Sequence, residues 1–206
     1  YDFDQTRVRQ VIAALGLNAD EHLTRQLRAG LAGVSVEALV EACLSKLAHY
    51  LDFSSIERDD FGVAFRQEWI DYLQYFGLGF DTSTYFVERM AFSSACARAG
   101  VPLGLLHLQH SLVLQSVIEL LAASEKPAQD LQLLTVHVLK LGALDAYLAT
   151  EGHREARIDT LQQALAESHE EVSRLHHKAS TDQLTGLTNF SSLMEKLEQQ
   201  ITKAEE

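Results

Sequence analysis

"RMAFSSACARAGVPLGLLHLQH", Arg89 to His110, reads as one helix, a break and a second helix. The break is Gly100-Val101-Pro102. Glycine tolerates the left-handed conformation that ends a helix, and proline suits the first turn of the next. Four residues before that glycine stands Cys96, turned inward by its spacing from Phe92 and Met90. The stretch therefore predicts two packed helices joined by a tight corner, with a thiol inside.

The same helical grammar runs outward in both directions. The chain has only two prolines, and its apolar residues recur at helical rather than alternating spacing. The pattern predicts helices at 4–15, 19–31, 35–51, 60–77, 83–99, 102–123 and 128–178. Ser35 and the Asp81-Thr82-Ser83 run are caps, because a hydroxyl can accept from the orphan backbone N–H groups of the helix that follows. No strand pattern precedes residue 180. The fold class read from the sequence is all-α.

Helices 102–123 and 128–150 are apolar on nearly every side. A surface helix needs one apolar stripe, and a helix apolar all round must be buried all round. In a chain this small, two antiparallel helices cannot both be central. The economical arrangement is a homodimer, four helices forming a bundle across a twofold axis, with Leu114, Val117, Leu134 and Leu141 at the interface. Beyond Tyr147 the pattern narrows to a heptad. Ile158, Leu165 and Val172 hold one seam position, Leu161, Ser168 and Leu175 the other. β-branched residues at the first seam and leucine at the second favour a parallel two-stranded coil.

Composition sets bounds on function. Hydrophobic residues are 47% of 206, so a substantial core is expected. Lys+Arg number 17 against Asp+Glu 29, a formal charge of -12 that disfavours nucleic acid as a partner. Cys43 and Cys96 form no framework spacing and read as reduced thiols of a cytoplasmic protein. No uninterrupted apolar run approaches the ~20 residues that span a bilayer, and "YDFDQTRVRQ" lacks a signal-peptide layout. A soluble intracellular chain, with no membrane partner, is expected.

Two stretches resemble known families. "STDQLTGLTNF", Ser180 to Phe190, is similar to the opening of a GGDEF domain, which begins Asp-x-Leu-Thr-Gly-Leu-x-Asn-Arg after a signalling helix. Asp182, Leu184, Thr185, Gly186, Leu187 and Asn189 match, while Phe190 replaces the arginine. Such domains condense two GTP molecules into cyclic di-GMP with Mg. Their carboxylates and signature loop lie further downstream, so the catalytic residues are not in this sequence. The second resemblance, over residues 5–150, is to globin-coupled sensors. In that family an arginine is followed seven residues later by the haem-binding histidine, then x-Arg-Ile-Gly-Leu-Pro. Here Arg89 is followed by Cys96, Ala97, Arg98, Ala99, Gly100, Val101 and Pro102. "FRQEWIDYLQYFGLGFD" resembles the family's distal helix and the loop after it, and Leu106 and His110 stand where tyrosines are usual.

The resemblance implies a globin-like sensor and dimerisation domain at 1–150, a coiled-coil signalling helix at 151–179 and the start of a truncated GGDEF domain at 180–206. Cys96 falls at the haem-ligand position. A thiolate needs nearby positive charge, whereas free cysteine commonly packs as a small hydrophobe. The leading expectation is thus a haem-free sensor of an unknown small-molecule signal that controls a diguanylate cyclase. The alternatives are a haem-based gas (oxygen) sensor and a ligand-free dimerisation scaffold. A surviving pocket would be lined by Trp69, Tyr72, Phe76, Phe92, Leu106, His107 and His110. His107 and His110 lie three apart on a helix, but two imidazoles do not close a metal site. No metal is expected.

Overall fold

Local hydrogen-bond chemistry sets where each helix stops. The computed structural model describes residues 5–17, 21–50, 60–124, 126–181 and 186–205. The helices are α1 (Gln5–Ala14), α2 (Glu21–Leu31), α3 (Val36–Tyr50), α4 (Asp60–Gln74), α5 (Ser83–Arg98), α6 (Leu103–Ala122), α7 (Ala128–Ser180) and α8 (Phe190–Glu205). No strand occurs among the described residues, only one bridge between Thr181 and Thr188. The fold is all-α.

Ser35 Oγ accepts from Ala38 N at 3.2 Å at the start of α3. Thr82 Oγ1 does the same for Tyr85 N at α5. At the far end of α5, Gly100 takes φ 79. Its N–H donates to Ala97 O at 3.1 Å, and Val101 N donates to Cys96 O at 2.9 Å. This paired closure consumes the orphan carbonyls of the last turn and needs a left-handed residue at the glycine. Pro102 stands one place earlier than the sequence predicts. It is the N-cap of α6, with extended backbone, rather than a first-turn residue. Its carbonyl accepts from Leu105 N and Leu106 N.

α4 is shorter than the 60–77 read from periodicity. Residues 75–80 are turns, with Gly77 and Gly79 at φ 72 and 67. A Cβ at Gly77 would lie 2.6 Å from Leu141 Cδ1, so the turn sits directly on α7.

The chain divides into two compact units, Tyr1–Arg157 and Ile158–Glu206. In the first, α3 packs on α4 and α6, and α2 on α6. Leu134, Val138, Leu141, Leu144 and Leu148 of α7 form a fully buried spine. α7 approaches its neighbours closely at two glycines. A Cβ at Gly142 would lie 2.3 Å from Leu114 Cδ1 on α6, and one at Gly152 would lie 2.3 Å from the Met90 carbonyl oxygen on α5.

These contacts correct the interface residues. Val117, Leu134 and Leu141 are wholly buried inside their own chain, and Leu114 is half-buried against Gly142. The large apolar residues left exposed on α6 and the first half of α7 are Leu108, Leu133, Val136 and Leu139. Helices apolar on all sides do not reveal which face turns outward. α6 and α7 are also long and apolar enough to cross a membrane by length and composition, contrary to the sequence reading. A contiguous run stops at each polar residue, whereas mean hydropathy absorbs them. Gln109, His110, Ser116, His137 and Asp145 are nonetheless buried within the unit.

In the second unit, Ile158, Leu161, Leu165, Val172 and Leu175 are exposed on one long helix, and Ser168 is exposed too. Asn189 Nδ2 donates to Ala179 O, and Asn189 Oδ1 accepts from Ser192 N at 2.9 Å, capping α8. Gly186 takes φ 70 and Leu187 is exposed; Asp182, Leu184 and Thr185 lie outside the described residues.

Candidate functional site

The site is organised by a carboxylate. Asp145, on α7 among buried leucines, is 2% exposed. An ionised carboxylate out of water is strongly unfavourable unless it is paired and hydrogen-bonded. Tyr72 Oη of α4 donates to Asp145 Oδ2 at 2.8 Å, and Tyr85 Oη of α5 donates to Oδ1 at 2.6 Å. Arg89, one turn after Tyr85, brings Nε to 3.9 Å of Oδ1. Its guanidinium lies 4.2 Å from the Tyr72 ring centroid and 4.7 Å from that of Tyr85, a geometry in which the ring faces attract the cation.

Tyr72 Oη also lies 3.2 Å from His110 Nε2 on α6. Tyr72 has one proton, and the acceptor-only carboxylate takes it. By proton counting, His110 Nε2 must then be the donor, which fixes the neutral tautomer with Nδ1 bare. A directed chain results: His110 to Tyr72 to Asp145. Burial, followed by the charge of Asp145, pushes the Tyr72 and Tyr85 hydroxyls well above their ordinary range. Burial also holds His110 below the ordinary imidazole value of 6.5, outweighing Asp145, which raises it. For Arg89, burial acts downward, but Tyr85, Asp145 and Tyr72 outweigh it and keep the cation.

Around this chain the aromatic residues pack on one another. Trp69 meets Tyr72 at 5.2 Å, Phe92 at 5.8 Å and His110 at 6.1 Å between ring centroids, all edge-on. Tyr72 also meets Phe76 at 5.5 Å. So Trp69, Tyr72, Phe76, Phe92 and His110 do come together, as mutual packing partners. Leu106 is buried, and His107 is half-buried with Nε2 3.3 Å from Thr150 Oγ1. Beside them a cleft of about 410 Å³ opens between α4 and α5, with Tyr72, Tyr75, Arg89 and Phe92 in its lining and Glu68, Asp71 and Glu88 around it.

Cys96 is fully buried, and its thiol is pushed up to about 12, first by burial and then by the charge of Glu68. The segment carrying it is fastened to α7. Ser93 Oγ donates to Ala149 O, and Ser94 Oγ donates to Gly152 O at 2.8 Å. His153 Nε2 donates to Val101 O at 3.1 Å.

This donor set does not suit haem. A thiol held so far from ionisation is a poor axial ligand, since the thiolate is the ligating form. Nε2 of His107 and of His110 is already engaged by a hydroxyl, and that of His153 by a carbonyl oxygen. The aromatic side chains that would face a porphyrin face each other. Among the described residues, no group of three or more His, Cys, Asp or Glu could hold a metal ion.

Sequence reasoning found the aromatic cluster and Cys96 but missed Asp145, Tyr85, Ser93, Ser94, Gly152 and His153. The available signal for Asp145 was its isolation: one acid in "LKLGALDAYL". A family model described as Protoglobin matches residues 4–159. No curated protein and no solved structure matches the chain significantly.

Proposed function

Since the chain belongs to the protoglobin family and has a globin-like sensor fold, we propose that residues 1–150 form a haem-free sensor and dimerisation domain governing a diguanylate cyclase. The haem-free reading is carried by one observation, the mutual packing of Trp69, Tyr72, Phe76, Phe92 and His110. Cys96, at the position the resemblance gives to the haem ligand, supports it through its buried neutral thiol. The α4–α5 cleft then receives a small-molecule signal.

Output runs through residues 151–179 as a parallel coil to a GGDEF domain that begins at residue 180. The supports are the exposed seam from Ile158 to Leu175 and the string Asp182-x-Leu184-Thr185-Gly186-Leu187-x-Asn189. Making cyclic di-GMP from two GTP molecules requires two catalytic domains to face each other, so a homodimer is part of the reading. Leu108, Leu133, Val136 and Leu139 are the surface it would use. A cytoplasmic location follows from the GTP chemistry. The second reading, a haem-based gas sensor, is favoured by the family match and by the kept spacing from Arg89 to Pro102.

Hemin titration of the purified chain separates the two. The haem-free reading expects no saturable Soret band at one hemin per chain. It also expects Cys96→His to gain little, because the ring space is filled. A stoichiometric band in the parent would overturn it.

A further inference from the structure

His110 reaches Asp145 Oδ2 through Tyr72, while Arg89 approaches Oδ1 directly and also lines the cleft. At neutral pH, Arg89 balances Asp145 while His110 is uncharged. The groups facing His110 are Tyr72 of α4, Arg89 of α5, His107 of α6 and Asp145 of α7. Protonating His110 gives the cluster an excess positive charge inside a poorly screening core, which is costly. The imidazolium keeps its bond to Tyr72 and draws on Asp145 through it. Arg89 is the cation that leaves, giving up its contacts with the Tyr72 and Tyr85 rings and its hydrogen bond to Tyr85. Its side chain lines the α4–α5 cleft and is 16% exposed, and its buried Nε makes no hydrogen bond.

We propose that the His110–Tyr72–Asp145 chain is a proton-responsive switch in which protonation of His110 exchanges the counter-ion of Asp145, turns Arg89 out into the cleft and loosens α5 from α7. The low position of the His110 titration agrees with this, since burial places the step below pH 6.5. The inference rests on the sensor reading only in treating the proton as a signal. The titration itself stands on the geometry of the cluster, so a chain that does not titrate and a chain that carries haem are distinguishable results.

Trp69 is the only tryptophan, with its ring 6.1 Å from His110, and imidazolium quenches indole emission more strongly than imidazole does. Emission of the purified chain should fall in a one-proton step below pH 6.5. Far-UV helicity should be unchanged, and hydrogen exchange at residues 141–149 should rise at the same midpoint. His110→Gln should abolish the step. Asp145→Asn should move the midpoint down and Arg89→Gln should move it up, opposite signs that a merely structural role would not produce. If Asp145→Asn fails to fold, NMR titration of the His110 ring in the parent and in Arg89→Gln decides the question by the same upward shift. The proposal is overturned by any of four results: no step, a step retained in His110→Gln, an Arg89→Gln midpoint that stays or falls, or helix loss within the step.

Discussion

Asp145 is the residue on which the first unit's interior turns. Four helices meet at it, because Tyr72, Tyr85, Arg89 and, through Tyr72, His110 are organised by its two oxygens. Removing one partner of a buried ion pair leaves the other charge uncompensated, at a cost of roughly 3–5 kcal/mol. Asp145→Ala should lower stability by about that amount in urea denaturation; a loss under 1 kcal/mol would mean the cluster is water-filled in solution. The pH dependence has two arms. His110 has a depressed folded pKa, so its contribution is complete above 6.5 and is lost as pH falls below it. Cys96 has a raised one, so its contribution is complete below 9.0 and is lost as pH rises toward about 12. Alkylation of Cys96 at pH 8.5 should therefore be far slower in the native chain than in urea, read by mass spectrometry; equal rates would contradict its burial. At this scale the sequence was partly legible. Periodicity marks Trp69, Tyr72 and Phe92 as inward, but it is blind to a charge that happens to occupy an inward position. Gly152 was likewise silent, because a missing side chain matters only once the neighbouring backbone is known.

Among the elements, helix existence was legible and helix orientation was not. Caps at Ser35 and Thr82 and the corner at Gly100 are local chemistry, and they sit where the sequence puts them. The end of α4 differs because a glycine turn against Leu141 overrides a continuing apolar pattern. The two all-round apolar helices hid their outward face until burial sorted Leu141 inward and Val136 and Leu139 outward. That sorting yields a paired test. Val136→Glu and Leu139→Glu should weaken a dimer in light scattering at micromolar concentration and leave the melting temperature nearly unchanged. Leu141→Glu should instead unfold the unit, since a buried unpaired charge costs several kcal/mol. A parent that runs as a monomer would refute the assembly. Close approach gives another test. Gly152→Ala must displace the Met90 backbone, and overpacking of this kind costs about 1–3 kcal/mol. On the proposed cyclase reading, Ser168→Leu in a chain that carries the GGDEF domain should lock one seam packing and blunt regulation, and four residues inserted after Leu165 should change basal activity by shifting the heptad phase. Unaltered rate and regulation after the insertion would reduce the helix to a tether.

For the whole molecule, the corner around Gly100 and the helix order were enough to read an all-α fold, and the protoglobin match over residues 4–159 agrees. The content of the pocket was not readable, because a string of aromatic residues at helical spacing serves equally to line a cavity or to fill one. The ring-to-ring distances support filling, and with it the proposal of a protoglobin-fold sensor that works without haem. Its most direct test is the absorption spectrum of the protein purified from cells supplied with the haem precursor δ-aminolaevulinate. The expected spectrum is dominated by Trp69 and the tyrosines, with no Soret band approaching one haem per chain. A Soret band of that stoichiometry, persisting through purification, would contradict it.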